Sequence, residues 1–210
     1  MRKYCVELSV AVVAAGLLLA NRGVAGNPDP TNAPGPTTVT NASGGSCPAP
    51  VPKTGQTSSY ADGDDGAAVK GVAWPNPRFT DNRNGTVKDN LTGLIWLKDA
   101  NAFGGRSWTN ALADCAALKS GAHGLSDGSV EGDWRLPNWN ELRSLIDASR
   151  YDPALPSGHP FTGVRLDSYW SSTTIAGSKD HAWDVTLYGG DVNGGDKATA
   201  YFVWPVRGGD

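Results

Sequence analysis

The chain holds 210 residues, with 18 Lys+Arg against 21 Asp+Glu and a formal net charge of −3. That length suits one domain with a smaller appendage. The mildly acidic balance excludes the broad basic surface that non-specific nucleic-acid binding requires, because such binding rests on phosphate neutralisation by Lys and Arg.

The N-terminus has the build of a secretory signal. Arg2 and Lys3 give a positive start, Leu8 to Ala20 an apolar run, and Gly23-Val24-Ala25 a small-residue cleavage site. The apolar run falls short of the ~20 residues that span a bilayer comfortably. Glu7 is unusual in such a segment, so an uncleaved anchor stays open as the alternative. Cys5 precedes the apolar run and is therefore no lipid-attachment cysteine. The expectation is a signal peptide over residues 1–25, with export to the periplasm, cell surface or medium of a bacterium and no membrane span after cleavage. Cleavage removes Arg2, Lys3, Arg22 and Glu7, leaving 15 basic against 20 acidic residues, a net −5.

Residues 26–51 read as a flexible Pro/Thr/Gly-rich arm. Gly26 to Lys53 carries half of the chain's 14 prolines and almost no large apolar side chains, so it buries too little to offset its ordering entropy. No Gly-X-Y period runs through it. Residues 52–210 are the domain proper. Two cysteines survive cleavage, Cys47 and Cys115. In an oxidising compartment such a pair invites a disulfide, tying the arm to the first helix. The alternative is a buried thiol at Cys115 on that helix's apolar face.

The domain opens on a polar approach. Asp62, Asp64, Asp65 and Gly66 fail the spacing of a calcium loop and read as a solvated acidic turn. Phe79 to Asn82 and Thr86 to Asp89 flank Asn84-Gly85, a strong hairpin signal. Leu94 to Leu97 is an apolar run fit for a buried strand. Ser107 is placed to cap a helix whose Trp108, Leu112, Cys115 and Leu118 repeat at helical spacing, with Gly121 ending it. Asn138 and Glu141 form a capping box for a second helix that buries Leu142, Leu145 and Ile146. Tyr169 to Ser172, Ala182 to Leu187 and Ala200 to Val206 read as strands. Tyr188 to Lys197, rich in Gly, reads as a loop or wide hairpin. The order predicts an α+β fold, an antiparallel sheet with two helices, closed by pairing of its N- and C-terminal strands.

Five segments taken together, RFTDNRNGTVKDNLTGLIWLKDAN (from Arg78), DWRLPNWNELRSLID (from Asp133), YWSST (from Tyr169), AWDV (from Ala182) and YFVWPVRGG (from Tyr201), resemble the Lcl C-terminal domain family, named for a Legionella collagen-like adhesin. PKTGQTSSYADGDDG (from Pro52) resembles a segment often attached upstream. The resemblance implies a C-type-lectin-like fold and a secreted or surface ligand-binding role, with glycan binding and attachment described for the namesake. The namesake's collagen-like repeats are missing here, so trimerisation through them does not carry over. The calcium-site triplets of sugar-binding C-type lectins are also missing. No metal site and no cofactor are expected.

Trp96, Trp108, Trp170, Trp183 and Trp204 stand in apolar or strand contexts and read as core, while Trp74 and Trp139 read as partly exposed. Arg135, Arg207, Asp133 and Asp99 read as internal ion pairs before ligand clamps. The polar segments near the last strands are the candidate recognition loops: Thr173, Thr174, Lys179, Asp180 and His181 in one, Tyr188, Asp191, Asn193, Asp196 and Lys197 in the next. Catalytic signatures are absent from the sequence. His123, His159 and His181 have no metal-ligand spacing, and Ser171-Ser172 lacks a nucleophile elbow. The expectation is an exported non-enzymatic module binding a surface glycan or protein, with oligomeric state open. The alternatives are a structural or assembly domain of a surface or periplasmic complex and, behind it, an enzyme of the formylglycine-generating type.

Overall fold

The computed structural model describes residues 51–208. The signal peptide, residues 26–50 of the arm and Cys47 therefore lie outside the described residues. The polar approach is folded. A parallel bridge joins Pro52 to Val72, and the Trp74 indole N–H donates to the Lys53 carbonyl at 2.8 Å. The acidic run closes a one-turn helix, α1 (Asp65–Ala68). Asp64 accepts the backbone N–H groups of Tyr60 (2.6 Å) and Ala67 (2.8 Å), which makes it the helix N-cap. Those bonds favour the ionised carboxylate and hold its pKa below the ordinary carboxylate value.

The strands and helices then follow as β1 (Phe79–Asp81), β2 (Thr86–Asp89), β3 (Ile95–Leu97), β4 (Gly105–Arg106), α2 (Trp108–Ala117), α3 (Trp139–Arg143), β5 (Ser168–Ile175), β6 (Ser178–Thr186), β7 (Val192–Asp196), β8 (Tyr201–Phe202) and β9 (Val206–Arg207). The β1–β2 hairpin closes on the three-residue loop Arg83-Asn84-Gly85, with left-handed backbone at Arg83 (φ 59°) and at Gly85 (φ 85°), where glycine carries no steric cost. A Cβ at Gly85 would also collide with the Gly124 carbonyl.

The strands form two sheets, ordered β1-β2-β3-β9 and β4-β8-β5-β6-β7. This corrects the expectation of a single antiparallel sheet. The β5–β8 pair is parallel, and the other pairs are antiparallel. The cause sits in the last signature. Pro205 has no N–H to give a ladder, so Tyr201 to Val206 cannot run as one central strand. Instead the chain leaves the five-stranded sheet after Phe202 and enters the four-stranded one at Val206, burying Val203 and Trp204 on the way. There β9 pairs with β3, Trp96 opposite Val206, so the ends of the domain close on each other as expected.

Both helices are shorter than their sequence patterns. Ser107 holds the N-cap position of α2 without a side-chain capping bond, and the helix ends at Leu118, before Gly121. The Asn138–Glu141 capping box of α3 is formed in both directions. Side chains of both sheets meet in one core, where ring contacts run from Phe79 to Phe161 (5.0 Å), Trp204 (4.8 Å) and Trp96 (5.6 Å). A second cluster, with Ala111, Cys115, Trp170, Ala182 and Val203, fills the space under α2. The buried Arg78 guanidinium grips Asp89 in two bonds of 2.9 and 3.1 Å and also donates to the Ser144 carbonyl. That pair fastens the first hairpin to the end of α3.

Candidate functional site

The two candidate recognition loops are largely strands. Thr173 and Thr174 end β5, Lys179, Asp180 and His181 open β6, and Asn193 and Asp196 lie in β7. The glycines of β7 do not break it, because neighbouring side chains occupy the space they leave. A Cβ at Gly194 would meet Ile175, and one at Gly195 would meet Tyr201 and the Trp170 ring edge.

At the β5–β6 turn the candidate residues hold each other. The Lys197 ammonium donates to the Thr174 hydroxyl (2.8 Å) and the Lys179 carbonyl (2.7 Å), and lies 4.0 Å from the centre of the Trp108 ring. Its donors are spent on joining β7, the hairpin and α2. Thr173 accepts the Trp139 backbone N–H at 3.3 Å, His181 pairs with the Ser178 hydroxyl at 2.9 Å, and Trp139 stacks on Trp183 at 5.9 Å. Only Lys179 and Asp180 extend freely into solvent, salt-bridged at 3.0 Å with side chains 89% and 74% exposed. Trp139 and Trp74 are half-buried. Trp74 is covered by the Arg78 guanidinium at 4.8 Å, so neither indole offers an open platform.

The β6–β7 turn is different. Bonds from Thr186 N–H to Asp191 and from Gly190 N–H to Thr186 make it tight, and it carries Tyr188 outward, 52% exposed. Tyr151, 73% exposed, meets Tyr188 edge to face at 6.4 Å. The Asp152 N–H donates to the Tyr188 carbonyl and fixes the two segments together. On the adjoining strand ends, Ser168, Asp184, Thr186 and Asn193 share one face of the sheet, as their register requires. The Ser168 and Thr186 hydroxyls bond at 3.1 Å, and Asn193 donates to Thr186 at 3.3 Å. Asp184, 1% exposed, forms the floor. Burial pushes its carboxyl above the ordinary value, and neither carboxyl oxygen has a hydrogen-bond partner among the described residues.

Tyr151, Ser168 and Asp184 carry no sequence signal that would gather them here. Tyr151 is 37 residues from Tyr188 in the chain, and Asp184 sits in a strand where a carboxylate reads as solvent-facing. A second feature is a cleft of about 480 Å³ lined by Asp81, Arg83, Lys98, Asp99, His123 and Thr162. Its central ion pair is satisfied internally. Lys98 pairs with Asp81 at 2.9 Å, and with the Arg83 N–H it holds that carboxyl below its usual range. Its exposed ring, His123, packs against Phe103 at 4.4 Å.

The signature ion pairs are internal. Arg135 binds Glu141 through two bonds of 2.7 Å and reaches the Gly208 carbonyl. Arg207 pairs with the buried Asp127 at 3.0 Å and lies over Trp134. Asp133 and Asp99 each accept a nearby backbone N–H. Cys115 is a buried free thiol whose acidity is strongly weakened by that burial; its candidate disulfide partner lies outside the described residues. Among the described residues no three His, Cys, Asp or Glu side chains are disposed to hold a metal ion, and no helix is long and apolar enough to cross a membrane.

Architecture of this kind defines a two-sheet α+β domain whose signature residues build the frame and whose paired exposed rings, Tyr151 and Tyr188, stand at one sheet end. The model of the Lcl C-terminal domain matches residues 85–207, more than half of the chain, and the chain belongs to that family. That membership suggests an adhesin-related surface domain. No curated protein matches the chain.

Proposed function

We propose that this domain is an exported, non-enzymatic recognition module that binds a glycan or protein ligand at a bacterial surface or in the periplasm. The Tyr151–Tyr188 pair carries the reading. Two large aromatic side chains stay in water beside a turn that carries the exposed Asp191 carboxylate and whose strands present hydroxyl and amide groups. Rings supply apolar stacking area at low entropic cost, and the small polar groups supply direction, the combination that ligand sites on rigid scaffolds use. The family's adhesin kinship supports the same reading. Cys115 supports the absence of thiol chemistry, because a thiol so weakly acidic holds almost no nucleophilic thiolate at neutral pH.

The test is a printed glycan array and pull-down from envelope extract, run with the wild-type domain and with Tyr151→Ala/Tyr188→Ala. The expected result is wild-type binding that the double variant loses while its melting curve is unchanged. Equal signals from both proteins would remove the site from the tyrosine pair.

A further inference from the structure

The five-stranded sheet ends in an open edge. β7 lies outermost, paired only with β6. Lys197 N–H donates to the Asp180 carbonyl, and Thr186 N–H to Asp191. These bonds fix the phase of the antiparallel ladder: residues 193 and 195 turn their backbone groups inward to β6, and 192, 194 and 196 turn theirs outward. The N–H and C=O of Val192 and Gly194 and the N–H of Asp196 have no partner among the described residues, the Asp196 carbonyl being taken by Thr199. The other outer strands are shorter, two residues in β4 and three in β1.

Edges of this length are ordinarily blunted by Lys, Pro, a bulge or a covering element. β7 reads Val-Asn-Gly-Gly-Asp and has no Lys or Pro. Its two glycines do more than leave the backbone bare. They let Ile175 on one face and Tyr201 on the other, both half-buried, lie over the strand, while Trp170 beside Tyr201 is fully buried. An incoming strand would therefore find an apolar wall for its side chains on each face. At the two ends stand Asp191 and Asp196, both exposed and neither salt-bridged among the described residues. The nearest ammonium, Lys197, is already committed to Thr174, Lys179 and Trp108.

We propose that β7 is a docking edge for an extended polypeptide segment of a partner protein, one with apolar residues at its centre and basic residues at its ends, bound by strand addition. A second copy of this domain fits worse, because it would bring its own Asp191 and Asp196 to an edge that is already acidic. The site uses backbone groups and is independent of the Tyr151–Tyr188 pair, so either can fail without the other.

The experiment measures amide hydrogen exchange of the isotope-labelled domain with a short peptide of alternating Val and Thr bracketed by Arg. A control peptide carries N-methyl groups on the residues that would face β7. The expected result is slowed exchange at Val192, Gly194 and Asp196 with the first peptide, and binding at least about tenfold weaker for the control, which loses several backbone bonds. Gly194→Pro removes the central outward donor and should weaken binding likewise. Should that variant fail to fold, the N-methyl control still decides. Unchanged exchange at millimolar peptide, or protection elsewhere on the domain, overturns the proposal. So does protection of the same three amides without peptide that rises with protein concentration, since the occupant would then be a second copy.

Discussion

Asp184 is the residue at which the fold acts against its own stability at neutral pH. Burial raises its carboxyl above the unfolded value, so the native state holds that proton more tightly than the unfolded chain. Stability from this source is fully present below the unfolded pKa of ~3.9 and is lost as pH rises through the folded value. Asp184→Asn keeps the shape and removes the titration. Thermal melts should show the variant more stable than wild type at pH 7, with the gap closing as pH falls toward ~4. A wild-type advantage at pH 7 would mean that a donor holds the ionised carboxylate. The Arg78–Asp89 pair has the opposite character, buried and doubly bonded. Arg78→Met leaves Asp89 charged and unpaired, at a cost of about 3–5 kcal/mol in urea unfolding, and adding Asp89→Asn should recover much of it. Arg135 and Arg207 were legible as structural from their places inside signatures. Arg78 was not, because its partner lies across a hairpin and its third contact at Ser144 is far along the chain.

Local chemistry explains which elements were legible. The Asn-Gly hairpin and the Asn138 capping box depend on a few adjacent residues, and both form as read. Asn138→Ala should cost about 1 kcal/mol in the same unfolding assay. β7 depends instead on side chains from other strands that fill the room above Gly194 and Gly195, so glycine content alone left loop and wide hairpin both open, and the β6–β7 pairing is the hairpin. Lys197 shows the same blindness. Its sequence context is a polar turn, yet its ammonium joins three elements. Lys197→Met keeps the apolar stem and loses the bonds, for an expected loss of about 1 kcal/mol and faster amide exchange along β7. Unchanged stability in that variant would free Lys197 for a ligand after all.

At the scale of the whole molecule, the four-stranded sheet is completed only by the last strand, and the Trp204 indole N–H spans the chain to the Leu97 carbonyl at 2.8 Å. Composition and strand order pointed to this closure. The split into two sheets was hidden, because one proline decides it. The same economy buries Trp96, Trp134, Trp170 and Trp204, and leaves Trp108 and Trp183 half-buried where core positions were expected. It sets Tyr188 of the β6–β7 turn outside beside Tyr151, where we place ligand recognition. The most direct measurement is therefore binding by the intact domain to arrayed glycans and envelope proteins, compared between wild type, Tyr151→Ala/Tyr188→Ala and Lys179→Ala. Loss confined to the tyrosine variant, with all three proteins melting alike, is the result predicted. Loss confined to Lys179→Ala, or binding unchanged in all three, would contradict it.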